Sequence, residues 1–252
     1  MAANPFDLTG RVAVVTGANT GIGQAIALAL GQAGAAIVAV GRSPMDETEA
    51  LVRSADARFH AIRADLGGIA PVKAIVAETL STFGGLDILV NNAGIIRRTD
   101  AIDFSEEDWD AVMDVNLKTA FFLSQAAARH MIGRGRGKIV NIASLLSFQG
   151  GIRVPSYTAS KSGLAGITRL LACEWAGSGI NVNAIAPGYF ITNNTTALRE
   201  DPDRSAAILA RVPAGRWGDP ADIGGAAVFL ASSASDYVHG AVIPVDGGWL
   251  AR

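Results

Sequence analysis

The chain has 252 residues, of which 50% are hydrophobic and 17% charged, with a formal net charge of −2. This composition can fill a globular core, and it excludes a chain dominated by disorder or by a basic nucleic-acid surface. The segment Met1 to Asp7 has neither the basic stretch nor the apolar core of a signal peptide, and no apolar run approaches the ~20 residues that cross a bilayer, so a cytoplasmic protein with no membrane partner is expected.

Arg11 to Thr16 is a short β-branched apolar run, and Gly17-Ala18-Asn19-Thr20-Gly21-Ile22-Gly23 follows it before a helical pattern from Gln24 to Ala33. Strand, glycine turn and helix in that order suit a pyrophosphate, because glycines admit close backbone approach and the helix start presents free N–H groups. The spacing Gly-x-x-x-Gly-x-Gly differs from the commoner G-x-G-x-x-G. Ala35 to Val40 reads as the second strand. Where a carboxylate would hold an NAD ribose, the sequence has Gly41-Arg42-Ser43, which leans towards NADP(H) through Arg42 and leaves NAD(H) open.

Phe59 to Ala64 reads as a strand ending at Asp65-Leu66, with a helix from about Gly68 to Phe83, and Leu86 to Val90 as another strand running into Asn91-Asn92-Ala93-Gly94. Arg97 and Arg98 come next, either in solvent or facing an anionic substrate. From Ser105 to about Met131 the pattern is one long helix, capped by Ser105 and opened by acids. Asn116 in its middle needs hydrogen-bond partners if buried, from water at a kink or from a polar relay.

Lys138 to Ala143 supplies the next strand, with Ser144 at its end. The segment Gly150 to Lys161 opens a helix to about Trp175 that places Tyr157 and Lys161 four residues apart on one face. Cys173, the only cysteine, lies in an apolar helical pattern and reads as core packing. Asn181 to Ala186 is a strand ending at Pro187-Gly188. Residues 189–217 read as a partly helical flap over the strand ends, Asp219 to Asp222 caps a helix to about Ala231, and Ala241 to Val245 is the last strand.

Strands alternating with helices predict an α/β fold with a parallel sheet covered on both faces and ligands at the strands' carboxyl ends. No linker or repeat interrupts the order, so residues 1–252 read as a single domain. His60, His130 and His239 form no ligand-spaced cluster, and no catalytic metal is expected.

Taken together, Thr16-Gly17-x-x-x-Gly21-x-Gly23, Asn91-Asn92-Ala93-Gly94, Asn116, Ser144, Tyr157-x-x-x-Lys161 and Pro187-Gly188 resemble the short-chain dehydrogenase/reductase family from Leu8 to the C-terminus. The resemblance implies a single-domain Rossmann-type doubly wound sheet of about seven parallel strands. It also implies an NAD(P)-dependent oxidoreductase in which Tyr157 is the general acid/base, Lys161 binds the nicotinamide ribose, Ser144 orients the carbonyl and Asn116 holds a water. By the same matching, Gly17, Asn19, Thr20, Gly21, Ile22 and Gly23 line the pyrophosphate, Asp65 and Leu66 flank the adenine, and Asn92, Gly94, Pro187, Gly188, Phe190 and Thr192 lie along the cofactor.

Within the family, Asn91 to Arg98, Phe148 to Tyr157, Pro213 to Gly218 and Val245 to Arg252 resemble the enzymes that act on ketosugar acids. A substrate carboxylate then needs a cation. Arg153 is the first candidate, with Arg97 and Arg98 behind it, while Gln149, Asn193 and Asn194 are placed to meet hydroxyls. A reductase of 3-oxoacyl thioesters or another lipophilic ketone is the competing enzyme reading, and a noncatalytic nucleotide-sensing scaffold the competing non-enzyme one. The resemblance further implies a homotetramer built partly through the helices at 105–131 and 155–177.

A free phenol titrates near pH 10, so Tyr157 as a base needs a downward shift of ~3 units, or ~4 kcal/mol. A cation at ~4 Å in an effective dielectric of ~20 contributes about that much, and Lys161 together with a bound cofactor is expected to supply it.

Overall fold

The computed structural model describes residues 4–252, so residues 1–3 of the N-terminal segment lie outside the described residues. The strands are β1 (Val12–Thr16), β2 (Ala36–Gly41), β3 (Phe59–Arg63), β4 (Ile88–Asn91), β5 (Gly137–Ile142), β6 (Ile180–Pro187) and β7 (Val242–Val245). They form one seven-stranded parallel sheet in the order β3-β2-β1-β4-β5-β6-β7. The helices are α1 (Gly21–Gln32), α2 (Asp46–Ser54), α3 (Val72–Phe83), α4 (Glu106–Met113), α5 (Ala120–Arg134), α6 (Pro155–Trp175), α7 (Thr196–Glu200), α8 (Pro202–Leu209) and α9 (Gly224–Ala231).

Alternate side chains of each central strand feed opposite layers, the consequence of the two-residue strand period. Ala13, Val15, Ile37 and Val90 pack with Ile26 and Leu30 of α1 and Leu230 of α9. Val12, Val14, Val38 and Leu89 pack with Ile75 of α3, Leu123 of α5 and Leu171 of α6. Burial on both faces explains why these strands read as continuous apolar runs.

Chain order reverses between β1 and β4, which are hydrogen-bonded neighbours. The glycine turn after β1 and the Asn91 segment after β4 therefore flank the crevice where open α/β sheets bind ligands. Below it, a buried polar chain ties the layers together. Asn91 Nδ2 donates to Ser124 Oγ (2.9 Å) and Asn141 Oδ1 (2.8 Å), and Asn141 Nδ2 donates to Thr168 Oγ1 (2.9 Å). At the opposite strand ends, buried Asp87 accepts the Val12 N–H at 3.1 Å and faces Arg11 at 3.4 Å and Arg136 at 3.3 Å.

Three local expectations change. The helix expected over 105–131 is α4, a π-helical stretch Asp114–Thr119, and α5, which runs on to Arg134. The wider turn carries Asn116 inward, and π-bulges of this kind hold side chains that a regular helix would aim elsewhere. Cys173 is exposed rather than in the core, because the buried stripe of α6 runs through Leu164, Ala165, Thr168, Leu171 and Ala172 and leaves position 173 outside it. Helix α2 went unread in the sequence, where its three acids within Asp46-Glu47-Thr48-Glu49 mask a short apolar stripe.

Candidate active site

Two cavities open at the carboxyl ends of the strands and share Ser144, Tyr157, Pro187, Gly188, Asn194 and Thr195. The first, of about 380 Å³, is lined by Gly17, residues 19–23, Asn92, Gly94 and Lys161, with Phe190, Thr192 and Asn193 on its outer wall. The second, of about 420 Å³, lies between Arg98, Gln149, Tyr189, Asn194 and Trp249 and the segment after residue 195.

The first cavity fits the pyrophosphate of a dinucleotide. Gly17 (φ 63°) and Gly21 (φ 58°) hold the left-handed backbone that favours glycine, and a Cβ on Gly17 would stand 2.9 Å from Ala93 Cα. A Cβ on Gly23 would collide with the Gly17 carbonyl oxygen and the Asn92 amide nitrogen. Thr20 makes no side-chain cap to α1, so the first N–H groups of the helix are left for an anion. Asn92 holds the turn in place, its Nδ2 donating to Thr16 O (2.9 Å) and Gly17 O (3.1 Å).

Pro155 at the first position of α6 starts the helix that carries Tyr157 and, one turn later, Lys161. Lys161 is 3% exposed, and its Nζ donates to Ile142 O at the end of β5 and lies 5.6 Å from the centre of the Tyr157 ring. Ser144 follows two residues after Ile142 in extended conformation, its Oγ accepting the Leu146 N–H at 3.2 Å. Asn116 is 1% exposed and is satisfied by protein. Its Oδ1 accepts the Ile95 N–H (2.8 Å), and its Nδ2 donates to Ile95 O (3.0 Å) and Ser160 Oγ (3.3 Å). Asn116 thereby fixes the loop beyond β4 against α6.

Burial raises the Tyr157 phenol above its ordinary value, opposed by the adjacent Ser144 hydroxyl and by the charge of Arg98. The downward shift expected from Lys161 does not appear: the groups that lower the phenol are Ser144 and Arg98, and burial outweighs both. Burial also lowers Lys161, to about 8 from 10.5. Between those values the unfolded chain binds more protons than the folded one, so this amine makes stability rise with pH across that window and destabilises fully below it. Lys161→Met is expected to remove that rise, which amounts to roughly 3 kcal/mol. Urea denaturation of the cofactor-free variant and parent at about pH 7 and about pH 10 would show it, and parallel pH dependence in the two proteins would contradict it.

Several residues singled out in the sequence lie elsewhere. Arg153 adopts φ 63°, its Nε faces Asp100 Oδ1 at 3.1 Å, and it lines neither cavity. Arg97 pairs with Asp108 at 2.9 Å and also lines neither. Arg98 does line the second cavity, donating to Asn194 O at 3.1 Å. Gln149 lines it too, with Oε1 accepting from Trp249 Nε1 at 3.1 Å.

Arg42 stands exposed just past β2. Asp65 is exposed and accepts the Gly67 N–H at 2.9 Å, while Leu66 is buried. None of these three lines the 380 Å³ cavity.

Arg204, Arg211 and Trp249 line the second cavity and escaped the sequence reading. The charged residues within 189–217 were the available signal. That segment is pinned at its base, with Ile191 N donating to Gly218 O and Gly218 N to Tyr189 O, both at 2.8 Å.

Residues 17–250 match the protein family described as enoyl-(acyl carrier protein) reductase. The chain is 60% identical to the 2-dehydro-3-deoxy-D-gluconate 5-dehydrogenase of Escherichia coli (strain K12), covering 100% of both. It is 56% identical to the enzyme of that name from Bacillus subtilis (strain 168), covering 98% of this chain and 97% of the relative. A crystal structure from Agrobacterium tumefaciens with bound NADP, of a provisionally named 2-deoxy-D-gluconate 3-dehydrogenase, is 60% identical and superimposes with a TM-score of 0.93 over 99% of this chain and 100% of that one.

Proposed function

Because the chain belongs to the short-chain dehydrogenase/reductase family, we propose that this NAD(P)-dependent oxidoreductase interconverts the C5 alcohol and ketone of 2-dehydro-3-deoxy-D-gluconate. Reduction of the 4-deoxy-5-ketouronate released from alginate or pectin to 2-keto-3-deoxygluconate is the related reaction of the same chemistry. The observation that carries the reading is the second cavity. It meets the glycine-lined cavity at Ser144 and Tyr157, and among the described residues it is lined by three arginines and no carboxylate. Such a lining favours a small anion over an acyl thioester chain.

A bound nicotinamide dinucleotide supplies hydride acceptance or donation. The chain's residues do the rest. Tyr157 gives a proton to the carbonyl oxygen in reduction and takes it back in oxidation, at the phenolic oxygen. The Ser144 hydroxyl donates a hydrogen bond to the same oxygen, an interaction worth up to ~3 kcal/mol where charge develops. Lys161 holds the nicotinamide ribose, and Asn116 keeps Ile95 and Ser160 in register beside it. Gly17, residues 19–23, Asn92, Gly94, Pro187, Gly188, Phe190 and Thr192 contact the dinucleotide, with Asp65 and Leu66 at the adenine.

We read residues 1–252 as one domain with 189–217 as its substrate flap, in a cytoplasmic homotetramer. Trp109 on α4 and Leu170 on α6, exposed at 39% and 51%, support an interface on those helices.

Arg42 is free to meet a 2′-phosphate and favours NADP(H). The test is steady-state kinetics on 2-dehydro-3-deoxy-D-gluconate and a 3-oxoacyl thioester with each cofactor. Turnover of the sugar acid is expected, with Arg42→Ala raising KM for NADP(H) by roughly 10–100-fold and sparing NAD(H). Faster turnover of the thioester would overturn the substrate assignment, and an unchanged KM for NADP(H) the role of Arg42.

A further inference from the structure

Three guanidinium groups reach the second cavity, and their surroundings separate them. Arg98 lies beside the reacting end, where its charge acts on the Tyr157 phenol and its Nη2 is engaged by Asn194 O. Arg204 and Arg211 come from the segment 189–217, Arg204 within α8 and Arg211 just beyond it. Both line the second cavity and neither lines the first, which it meets at Ser144 and Tyr157. Among the described residues, neither side chain has a carboxylate or hydrogen-bond partner.

Arg211 is nevertheless held in place. Its Cζ lies 3.9 Å from the centre of the Trp249 ring, which is 4% exposed. That indole is fixed by its hydrogen bond to Gln149 and by the Tyr189 ring at 4.8 Å. Arg252 Nη1 donates to Ala210 O at 3.0 Å and ties the C-terminus to the residue next to Arg211. Stacking occupies the face of a guanidinium and leaves its N–H edge directed outward, ready to pair bidentately with a carboxylate.

A sugar acid reacting at C5 carries its carboxylate at C1, four bonds away, or roughly 5 Å. The carboxylate therefore cannot sit at the reacting carbon beside Tyr157 and Ser144. Resting on the ketosugar-acid reading above, we infer that Arg211, with Arg204 of the same cavity, receives the C1 carboxylate and sets the substrate's length and charge, while Arg98 serves the reacting end. The specificity site is thus assembled between the flap and the chain's last residues.

The experiment compares kcat/KM for 2-dehydro-3-deoxy-D-gluconate and for its C1 carboxamide in the parent enzyme, Arg204→Ala/Arg211→Ala, Arg211→Lys and Arg98→Ala. NADPH titration of each establishes that it is folded. The parent is expected to prefer the acid by roughly 10–100-fold, the double variant to lose that preference through KM for the acid, and Arg211→Lys to restore only part of it. Arg98→Ala is expected to keep the preference and to move the oxidation pH profile upward, because the phenol loses a cation. A parent that prefers the acid together with a double variant that keeps the preference would overturn the inference alone. A parent indifferent to the two compounds would overturn the ketosugar-acid reading and the inference together.

Discussion

Tyr157→Phe is expected to lower kcat by about a thousandfold or more while leaving NADPH affinity within a fewfold of the parent. The ring that packs near Lys161 remains, so the walls of both cavities stay in place, and only the oxygen that carries the proton is gone. Residual turnover then depends on positioning and on the Ser144 hydroxyl, which cannot replace a proton donor. Burial raises the phenol, so at neutral pH it holds its proton, the form that reduction uses. Oxidation requires the phenolate, and its rate is expected to climb with pH in the parent and to lose that dependence in the variant. Stopped-flow turnover and fluorescence titration of NADPH separate chemistry from binding. A variant within tenfold of the parent would remove Tyr157 as the proton carrier.

Gly23→Ala is the second large effect. The added methyl would meet the Gly17 carbonyl oxygen and the Asn92 amide nitrogen, and neither can retreat freely. Gly17 is in contact range of Ala93, and the Asn92 amide is engaged with both Thr16 O and Gly17 O. Overpacking of this kind costs about 1–3 kcal/mol, which at this chain length lowers Tm by roughly 2–12 °C. The displaced turn is also the expected pyrophosphate cradle, so NADPH affinity should fall by about a hundredfold or more. Gly133→Ala is the matched control, since none of the described residues comes within 4 Å of a Cβ there on the exposed face of α5. It is expected to raise stability by up to ~1 kcal/mol through helix propensity. Calorimetry and NADPH titration on the pair give the comparison, and equal melting of both variants would show that the turn has room to yield.

The continuous apolar runs at Val12 to Val15 and Ile37 to Val40 announced strands buried on both sides, because only a sheet covered by helices on both faces removes every side chain from water. Tyr157 and Lys161 were legible as a pair because four residues of helix place them on one face wherever that helix lies. The glycine turn was legible because positive φ and close backbone approach select glycine locally. The π-helical stretch at Asp114–Thr119 was hidden, since its driving force is the pairing of Asn116 with Ile95, a residue 21 positions away.

The same division runs through the substrate side. Arginines at 97, 98 and 153 stood out by sequence proximity to the motifs, yet Arg97 and Arg153 are drawn to Asp108 and Asp100. Arg204 and Arg211 carried no such signal, and it is the packing of residues 189–217 against Trp249 that turns them to the cavity. By itself, the sequence determined the sheet, the cofactor turn and the Tyr157–Lys161 pair, because local periodicity and backbone conformation are written in neighbouring residues. Only the tertiary structure decided which cations line the second cavity. A long flexible side chain takes its direction from partners brought together by folding, and those partners are remote in the chain.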